Sequence, residues 1–283
     1  VDNASQDGSP EMTAAEFPEV QVIQTGANLG FAKANNIGIG QSHGRYLCLV
    51  NSDVEVEKNC IHKLVAFLDA NKDIGIAGPK IYGRDGQVQS SCFRSPNLRN
   101  TICQTLALYR VFPKNSLFSG WEMKDWTFDS TRDVDVLSGC FWIVRREALE
   151  QVGSLDENFF MYGEDLDWCK RFHLAGWRAV FYSEAQSIHY GGGSSAGAPV
   201  RFFIEMQKAN RRYWRKHYGY AGQFFFTAVI FFSQLVRLLP RLAQFAIQPS
   251  SRQAIRPKID RSAACLHWLV YGKARLGDGT EIS

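Results

Sequence analysis

The sequence predicts an α/β protein whose mixed, mainly parallel sheet is flanked by helices and followed by a helical C-terminal region. Three observations carry this. From residue 1 to about residue 94, short apolar runs alternate with helix-period stretches, the pattern of βαβ units. Residues 134–145 form an apolar run suited to a strand buried on both faces. Beyond residue 200 the chain turns basic, aromatic and strongly apolar in two long helical stretches.

The elements follow in order. Strands are expected at residues 20–24, Tyr46–Val50 and 74–77, and helices at 30–41 and 58–70, the latter with Ile61, Leu64, Val65 and Leu68 on one face. Residues 95–130, with Pro96, Pro113 and two Trp, read as an irregular excursion holding one short helix around 102–109. After the 134–145 strand come a helix over Arg146–Val152 closed by Gly153, and a second helix starting at Glu164 or Asp165 and stopping at Gly176. Residues 177–182 and 185–189 supply two further strand pieces, and 191–197 (GGGSSAG) a loop. Helices are expected over 200–218 and 223–247. In the second, Gln234, Arg237, Arg241 and Gln244 form a polar stripe that favours a helix lying in a membrane interface over one crossing it, with Pro240 as a kink. Packing on the protein's own core or on a second subunit is the bland alternative.

At 283 residues, 45% hydrophobic and 21% charged, the composition excludes disordered and collagen-like classes. Seven cysteines without a C-x-x-C pair give neither a disulfide framework nor a zinc knuckle, so a reducing compartment is the default. The net charge of +4 hides an asymmetry. Residues 201–283 hold 14 Lys and Arg against 4 Asp and Glu, whereas residues 1–200 hold 18 against 24. An acidic body and a tail suited to an anionic surface follow. The Arg211, Arg212, Arg215, Lys216 cluster with Tyr213, Trp214 and Tyr218 also fits nucleic acid, but a charge run on a helix is usually a solvated face.

Four constellations carry chemistry. Asn51-Ser52-Asp53 follows the YLCLV strand, where Asp53 can meet a phosphate through a cation or simply cap a turn. Gly163-Glu164-Asp165-Leu166-Asp167 opens a helix. Its carboxylates suit the helix dipole, but the aromatic setting of Phe159, Phe160, Tyr162 and Trp168 also suits a proton-accepting Asp165. His189 precedes a triple glycine and with Asp53 offers a mixed O/N site for Mn²⁺ or Mg²⁺. The polar loops around Asp2 to Ser9 and Asn28 to Asn36 are neither a P-loop nor G-x-G-x-x-G, and suit hydrogen bonding to a base and ribose.

In order, VDNASQDGS, NLGFAKANN, LVNSD, SGCFWIVRREALEQVGSLDENFFMYGEDLDWCKR and IHYGGGS resemble the family 2 glycosyltransferases, more narrowly the bacterial rhamnosyltransferase-like branch. The resemblance covers residues 1–219 and implies a GT-A fold (Rossmann-like), a nucleotide-diphospho-sugar donor, a divalent cation (Mn²⁺ or Mg²⁺) and inversion at the anomeric carbon. It implies that Asp2, Ser5, Asn28 and Asn35 line the nucleotide pocket, that Asn51 and Asp53 take the place of the D-x-D motif, that Asp53 and His189 are metal ligands, and that Asp165 is the general base. Asn51 stands where the family's first acid stands, and the family's first strand would precede Val1. The expected organisation is a glycosyltransferase domain over 1–219 and a basic, apolar helical region over 220–283.

The expected activity is transfer of rhamnose from dTDP-rhamnose to a hydroxyl of a saccharide or polyprenyl-diphosphate-linked saccharide, in cell-surface polysaccharide synthesis. The expected place is the cytoplasmic face of the cell membrane, held peripherally on an anionic surface, without nucleic acid and with homodimerisation left open. Other donors (galactofuranose, mannose, N-acetylglucosamine) and a degenerate, non-catalytic sugar- or membrane-binding protein are the alternatives.

Overall fold

The apolar runs of the first two hundred residues pair into one central sheet, and the intervening helical stretches cover it. The computed structural model describes residues 1–283 except 113, 114, 116, 119, 124, 192–197, 276–280 and 283. In chain order the elements are α1 (Ser9–Glu16), α2 (Phe31–Gln41), β1 (Tyr46–Val50), β2 (Val54–Val56), α3 (Cys60–Ala70), β3 (Ile74–Tyr82), β4 (Cys92–Phe93), α4 (Leu98–Thr105) and α5 (Leu108–Val111). There follow β5 (Arg132–Asp133), β6 (Val136–Leu137), β7 (Phe141–Arg145), α6 (Arg146–Val152), α7 (Glu164–Leu174), β8 (Arg178–His189), α8 (Pro199–Ile247) and α9 (Arg252–Tyr271). The chain divides into two units, one of residues 1–95 and 126–191, the other of 96–125 and 192–283.

In the first unit the sheet order is β1-β7-β3-β8-β2, with β5 also on β8. It is mixed, but the expected predominance of parallel pairing is corrected. Only β3 and β8 run parallel, while β1/β7, β7/β3, β8/β2 and β5/β8 are antiparallel. The helix-strand alternation read from the sequence does connect β1 through α3 to β3, yet β7 inserts between them from later in the chain and reverses direction. The expected strand at 20–24 is reduced to a bridge between Asp2 and Gln24, because Asp2 is its sole pairing partner among the described residues. The apolar run 134–145 is two strands, since residues 138–140 turn between β6 and β7. The pieces at 177–182 and 185–189 are one strand, with a register irregularity opposite Pro79 and Lys80.

Leu64 and Leu68 from α3 pack with Ile74, Ala77, Phe141 and Val180 of the sheet. A buried cation completes this layer. Arg145, at the end of β7, donates to the carbonyls of Leu68 (2.6 Å), Ile74 (2.9 Å) and Asn71 (3.1 Å) and to Tyr46 Oη (3.3 Å). Its planar fork thus serves both the end of α3 and the start of β3, which a single ammonium cannot do.

In the second unit α4 begins at a reciprocal Asn97/Asn100 capping box, four residues ahead of the sequence expectation and followed by α5 rather than one helix. The two expected C-terminal helices both form and follow one another within α8, separated by a kink at Gly219, whose backbone is non-helical (φ 68°, ψ −163°). Pro240 lies inside the second of them, and the break between the two falls at Gly219, where a positive φ is open to glycine. α8 is long and apolar enough to cross a membrane by length and composition. Its polar stripe, however, is engaged within the unit. Arg237 donates to Thr105 O (2.6 Å), Arg241 to Lys258 O and Ser262 Oγ, and Ser262 Oγ to Gln234 Oε1. Phe224, Phe232, Val236 and Leu239 remain exposed. Tyr213 and Trp214 of the basic cluster are fully buried, which removes them as platforms for stacking bases.

Replacing Arg145 by Leu deserts three buried carbonyls and should lower stability by about 3 kcal/mol or more. Urea unfolding should place Arg145→Lys between Arg145→Leu and the parent.

Candidate active site

The carboxyl end of β1 and the end of β8 meet through strand pairing. β2 pairs antiparallel with β8 in the register Val54↔His189, Glu55↔Ile188 and Val56↔Ser187. The ladder continues as Tyr190 N–H donates to Asp53 O (2.9 Å). Asp53 Oδ1 consequently lies 3.3 Å from His189 Nε2. Both side chains keep an open surface, 38% for Asp53 and 20% for His189, which a ligand can reach. On its other side, His189 Nδ1 lies 3.1 Å from Gln89 Oε1. Asn51 N–H donates to Cys140 O (2.9 Å), and Asn51 O accepts from Val54 N (3.1 Å), so Asn51 forms the turn that presents Asp53.

The 138–140 turn also reaches the second group of acids. Gly139's backbone amide is among the donors to Asp165, as are those of Leu166 (2.8 Å) and Gly163. Burial nevertheless pushes the Asp165 carboxyl above the ordinary carboxylate range, these amides offsetting only part of it. Glu164 is buried, and its Oε2 has no hydrogen-bond partner among the described residues. Burial first, and the neighbouring Asp165 charge second, raise it from 4.5 to about 8. Asp167, in contrast, is tied to Arg171 Nε at 2.8 Å, while that guanidinium also holds Val152 O and Ser154 O. Of the three carboxylates opening α7, Asp167 is thus a structural anchor. The entry to α7 is tight: Tyr162 (φ 66°) and Gly163 (φ 78°) are consecutive left-handed residues. Trp168, Cys169 and Phe172 are fully buried, with Trp168 edge-on to Trp142 (5.3 Å); Phe159 is buried too, but Phe160 is 40% exposed.

The N-terminal loops form a third group. Asp2 accepts the amides of Ala4 and Ser5, and the Ser5 hydrogen bond is the largest influence holding its carboxyl below the ordinary range. Asn3, which the sequence reading did not single out, joins the two loops. It donates to Asn28 Oδ1 (3.0 Å) and accepts from Leu29 N (2.9 Å). Its signal was present in the polarity of the turn but indistinguishable there from ordinary turn chemistry. Asn28 also accepts from Gly30 N (3.0 Å). Asn35 is turned back on its own helix, donating to Phe31 O (2.9 Å), and among the described residues no hydrogen bond joins its side chain to Asp2, Asn3 or Asn28. The neighbouring Asn36, also unforeseen, clasps Leu155 through both N–H and C=O. Gly30 (φ 84°) lets the backbone meet Phe160, where a Cβ would collide with the Phe160 carbonyl. Phe31 N–H then donates to that same carbonyl (2.8 Å), joining this loop to the segment leading into α7.

Among the described residues no three His, Cys, Asp or Glu side chains gather as a closed metal site. The Asp53/His189 pair fits an open one, with one carboxylate and one imidazole converging and the remaining positions left to phosphate oxygens and water.

The mixed, helix-flanked sheet of the first unit has the GT-A fold of glycosyltransferases. The chain matches the model of glycosyl transferase family 2 over residues 1–153, and it belongs to that family. It is 32% identical over 221 residues to an N-acetylglucosaminyl-diphospho-decaprenol L-rhamnosyltransferase of Mycobacterium tuberculosis, covering 74% of this chain and 71% of that protein. It is 27% identical over 204 residues to the dTDP-rhamnosyl transferase RfbF of Shigella flexneri, covering 70% and 62%. The fold is similar to that of mannosyltransferase PcManGT from Pyrobaculum calidifontis, solved with GDP-Man and Mn²⁺, at a TM-score of 0.50 and 14% identity over 96% of this chain and 76% of that one.

Glu164 gives a signed pH dependence. Its folded value lies above its unfolded one, so the fold disfavours the ionised form, and stability falls as pH rises from about 4.5 to about 8. Glu164→Gln removes this loss. Melting against pH should show little difference below pH 4.5 and a variant more stable by about 3 °C or more at pH 8.

Proposed function

We propose that this protein transfers L-rhamnose from dTDP-rhamnose, with inversion, to a hydroxyl of a saccharide carried on a polyprenyl diphosphate. The observation that carries the site is the convergence of Asp53 and His189 at the end of the β2/β8 ladder, in the same unit as Asp165. Rhamnose as the sugar is supported by the names of the two bacterial relatives, and a lipid-linked acceptor by that of the mycobacterial one. Mn²⁺ suits this mixed O/N pair better than Mg²⁺.

Asp53 and His189 would hold the cation, and the Asp2, Asn3, Ser5 and Asn28 network would receive the nucleoside. When bound, the cation supplies positive charge to the departing diphosphate. Asp165 accepts the proton of the acceptor hydroxyl as that oxygen bonds to the anomeric carbon. The bond from that carbon to the diphosphate breaks on the opposite face, and nucleoside diphosphate leaves; one displacement inverts the centre. A carboxyl held above its ordinary range is a stronger base once ionised, so burial serves the role. Asp165→Asn should lower transfer by about 10³-fold or more while calorimetry shows dTDP and Mn²⁺ binding unchanged. Retained turnover would remove Asp165 from the role of base.

In the same reading residues 1–219 catalyse and 220–283 bring the enzyme to the cytoplasmic face of the membrane. The orientation of α8 supports this. Its polar stripe is consumed by α9 and by Thr105, leaving Phe224, Phe232, Val236 and Leu239 outward on a strongly basic segment. Val236→Glu with Leu239→Glu should cut sedimentation with phosphatidylglycerol-containing vesicles about tenfold or more without changing dTDP binding.

A further inference from the structure

The most informative feature that the activity does not yet use is a glutamine on the hairpin following β3. Tyr82 pairs with Val88, Gly83 N–H donates to Gln87 O (2.8 Å), and Gln89 N–H returns to Ile81 O (2.8 Å). The turn is set by Asp85, whose Oδ1 accepts from Gln87 N (3.0 Å), and by Gly86 at φ 73°. This closed hairpin fixes the backbone of Gln89 beside the last residues of β8.

The amide of Gln89 then makes two contacts with one residue. Its Nε2 lies 2.8 Å from the backbone oxygen of His189, and its Oε1 lies 3.1 Å from His189 Nδ1. A carbonyl oxygen only accepts, so the Gln89 NH₂ must face the His189 carbonyl. That leaves Oε1, also an acceptor, against Nδ1, and the ring proton must reside on Nδ1. The lone pair of the neutral imidazole is thereby assigned to Nε2, the atom 3.3 Å from Asp53 Oδ1. With that ring neutral, the Nε2 lone pair and Asp53 Oδ1 converge as two donors to a cation whose other positions phosphate oxygens and water would fill.

We propose that Gln89 is a positioning residue that locks His189 in its Nδ1–H tautomer and so presents Nε2, together with Asp53, to a divalent cation. The proposal rests on the metal site described under Proposed function. It adds the residue that orients one ligand, over a sequence separation of one hundred residues and from an element that touches no substrate in that reading.

The test uses the full chain in three forms: parent, Gln89→Leu, which keeps bulk and removes both polar contacts, and Gln89→Glu, which restores an acceptor for Nδ1–H. The first readout is metal-free. Long-range ¹H–¹⁵N spectra of ¹⁵N-histidine protein, at a pH where His189 is neutral and with His189→Ala for assignment, should show the Nδ1–H form in the parent and in Gln89→Glu. They should show a shift towards Nε2–H in Gln89→Leu. The second is Mn²⁺ affinity in the presence of dTDP, followed by electron paramagnetic resonance. It should weaken about 10- to 100-fold in Gln89→Leu and recover in Gln89→Glu. A Gln89→Leu protein that keeps the Nδ1–H form and binds Mn²⁺ within twofold of the parent overturns the proposal. The site itself is judged separately: if His189→Ala and Asp53→Ala both bind Mn²⁺ like the parent, the metal reading fails and takes the role of Gln89 with it.

Discussion

The register of β8 is the constraint on which the rest depends. This strand pairs in parallel with β3 along most of its length and antiparallel with β2 at its end, and it also carries β5. Val180, before the register irregularity, and Ala185, at it, both join the core, while His189, at the last position, lies beside Asp53. A slip of one residue against β2 would take His189 from its place opposite Val54 and turn its side chain away from Asp53. The burial that fixes the core register therefore also fixes the ligand pair, and the irregularity opposite Pro79 and Lys80 lets one strand satisfy both neighbours.

Two buried ionisable groups show how differently the same fold treats charge. Arg145 is surrounded by acceptors, and each of its contacts replaces a bond to water. Glu164 has an orphan oxygen and a charged neighbour, and the fold answers by holding it protonated near neutral pH. The first arrangement builds the layer that α3 and β3 share. The second stores unfavourable electrostatics beside the carboxylate that the proposed chemistry uses, the ordinary relation between a stable scaffold and a reactive site.

Much of this was legible in the sequence for local reasons. Tyr46–Val50 and Arg146–Val152 are bounded by their own apolar runs and by a terminating glycine, and they appear as expected. Asp53, Asp165 and His189 were singled out because each ends or begins a regular element. What escaped was whatever depends on a distant partner. The insertion of β7 between β1 and β3 changes the direction of the sheet without changing any local pattern. The run at 20–24 has strand propensity but no ladder to join beyond Asp2. Asn3, Asn36 and Gln89 make their decisive hydrogen bonds to residues far along the chain, and a lone amide in a polar turn carries no periodic signal. Of the loop expected at 191–197, all but Gly191 lies outside the described residues.

Asn51 shows how the site works with less charge than an acidic pair would bring. Its carbonyl and amide are both spent on the turn between β1 and β2, so its backbone is structural whatever side chain it carries. A neutral amide there leaves Asp53 as the single carboxylate at that turn, with the imidazole of His189 as its neighbour. On the proposed reading, such a pair attracts a dication weakly by itself, because one negative charge in a solvent-open position is well screened. A diphosphate brings two further charges and the missing oxygens. Cation and nucleotide should then each bind better in the presence of the other, a reciprocal coupling imposed by linkage and not by any conformational change. The geometry of the neutral ligand matters more in such a site than in an acid-rich one, since a misdirected imidazole cannot be made good by surplus charge.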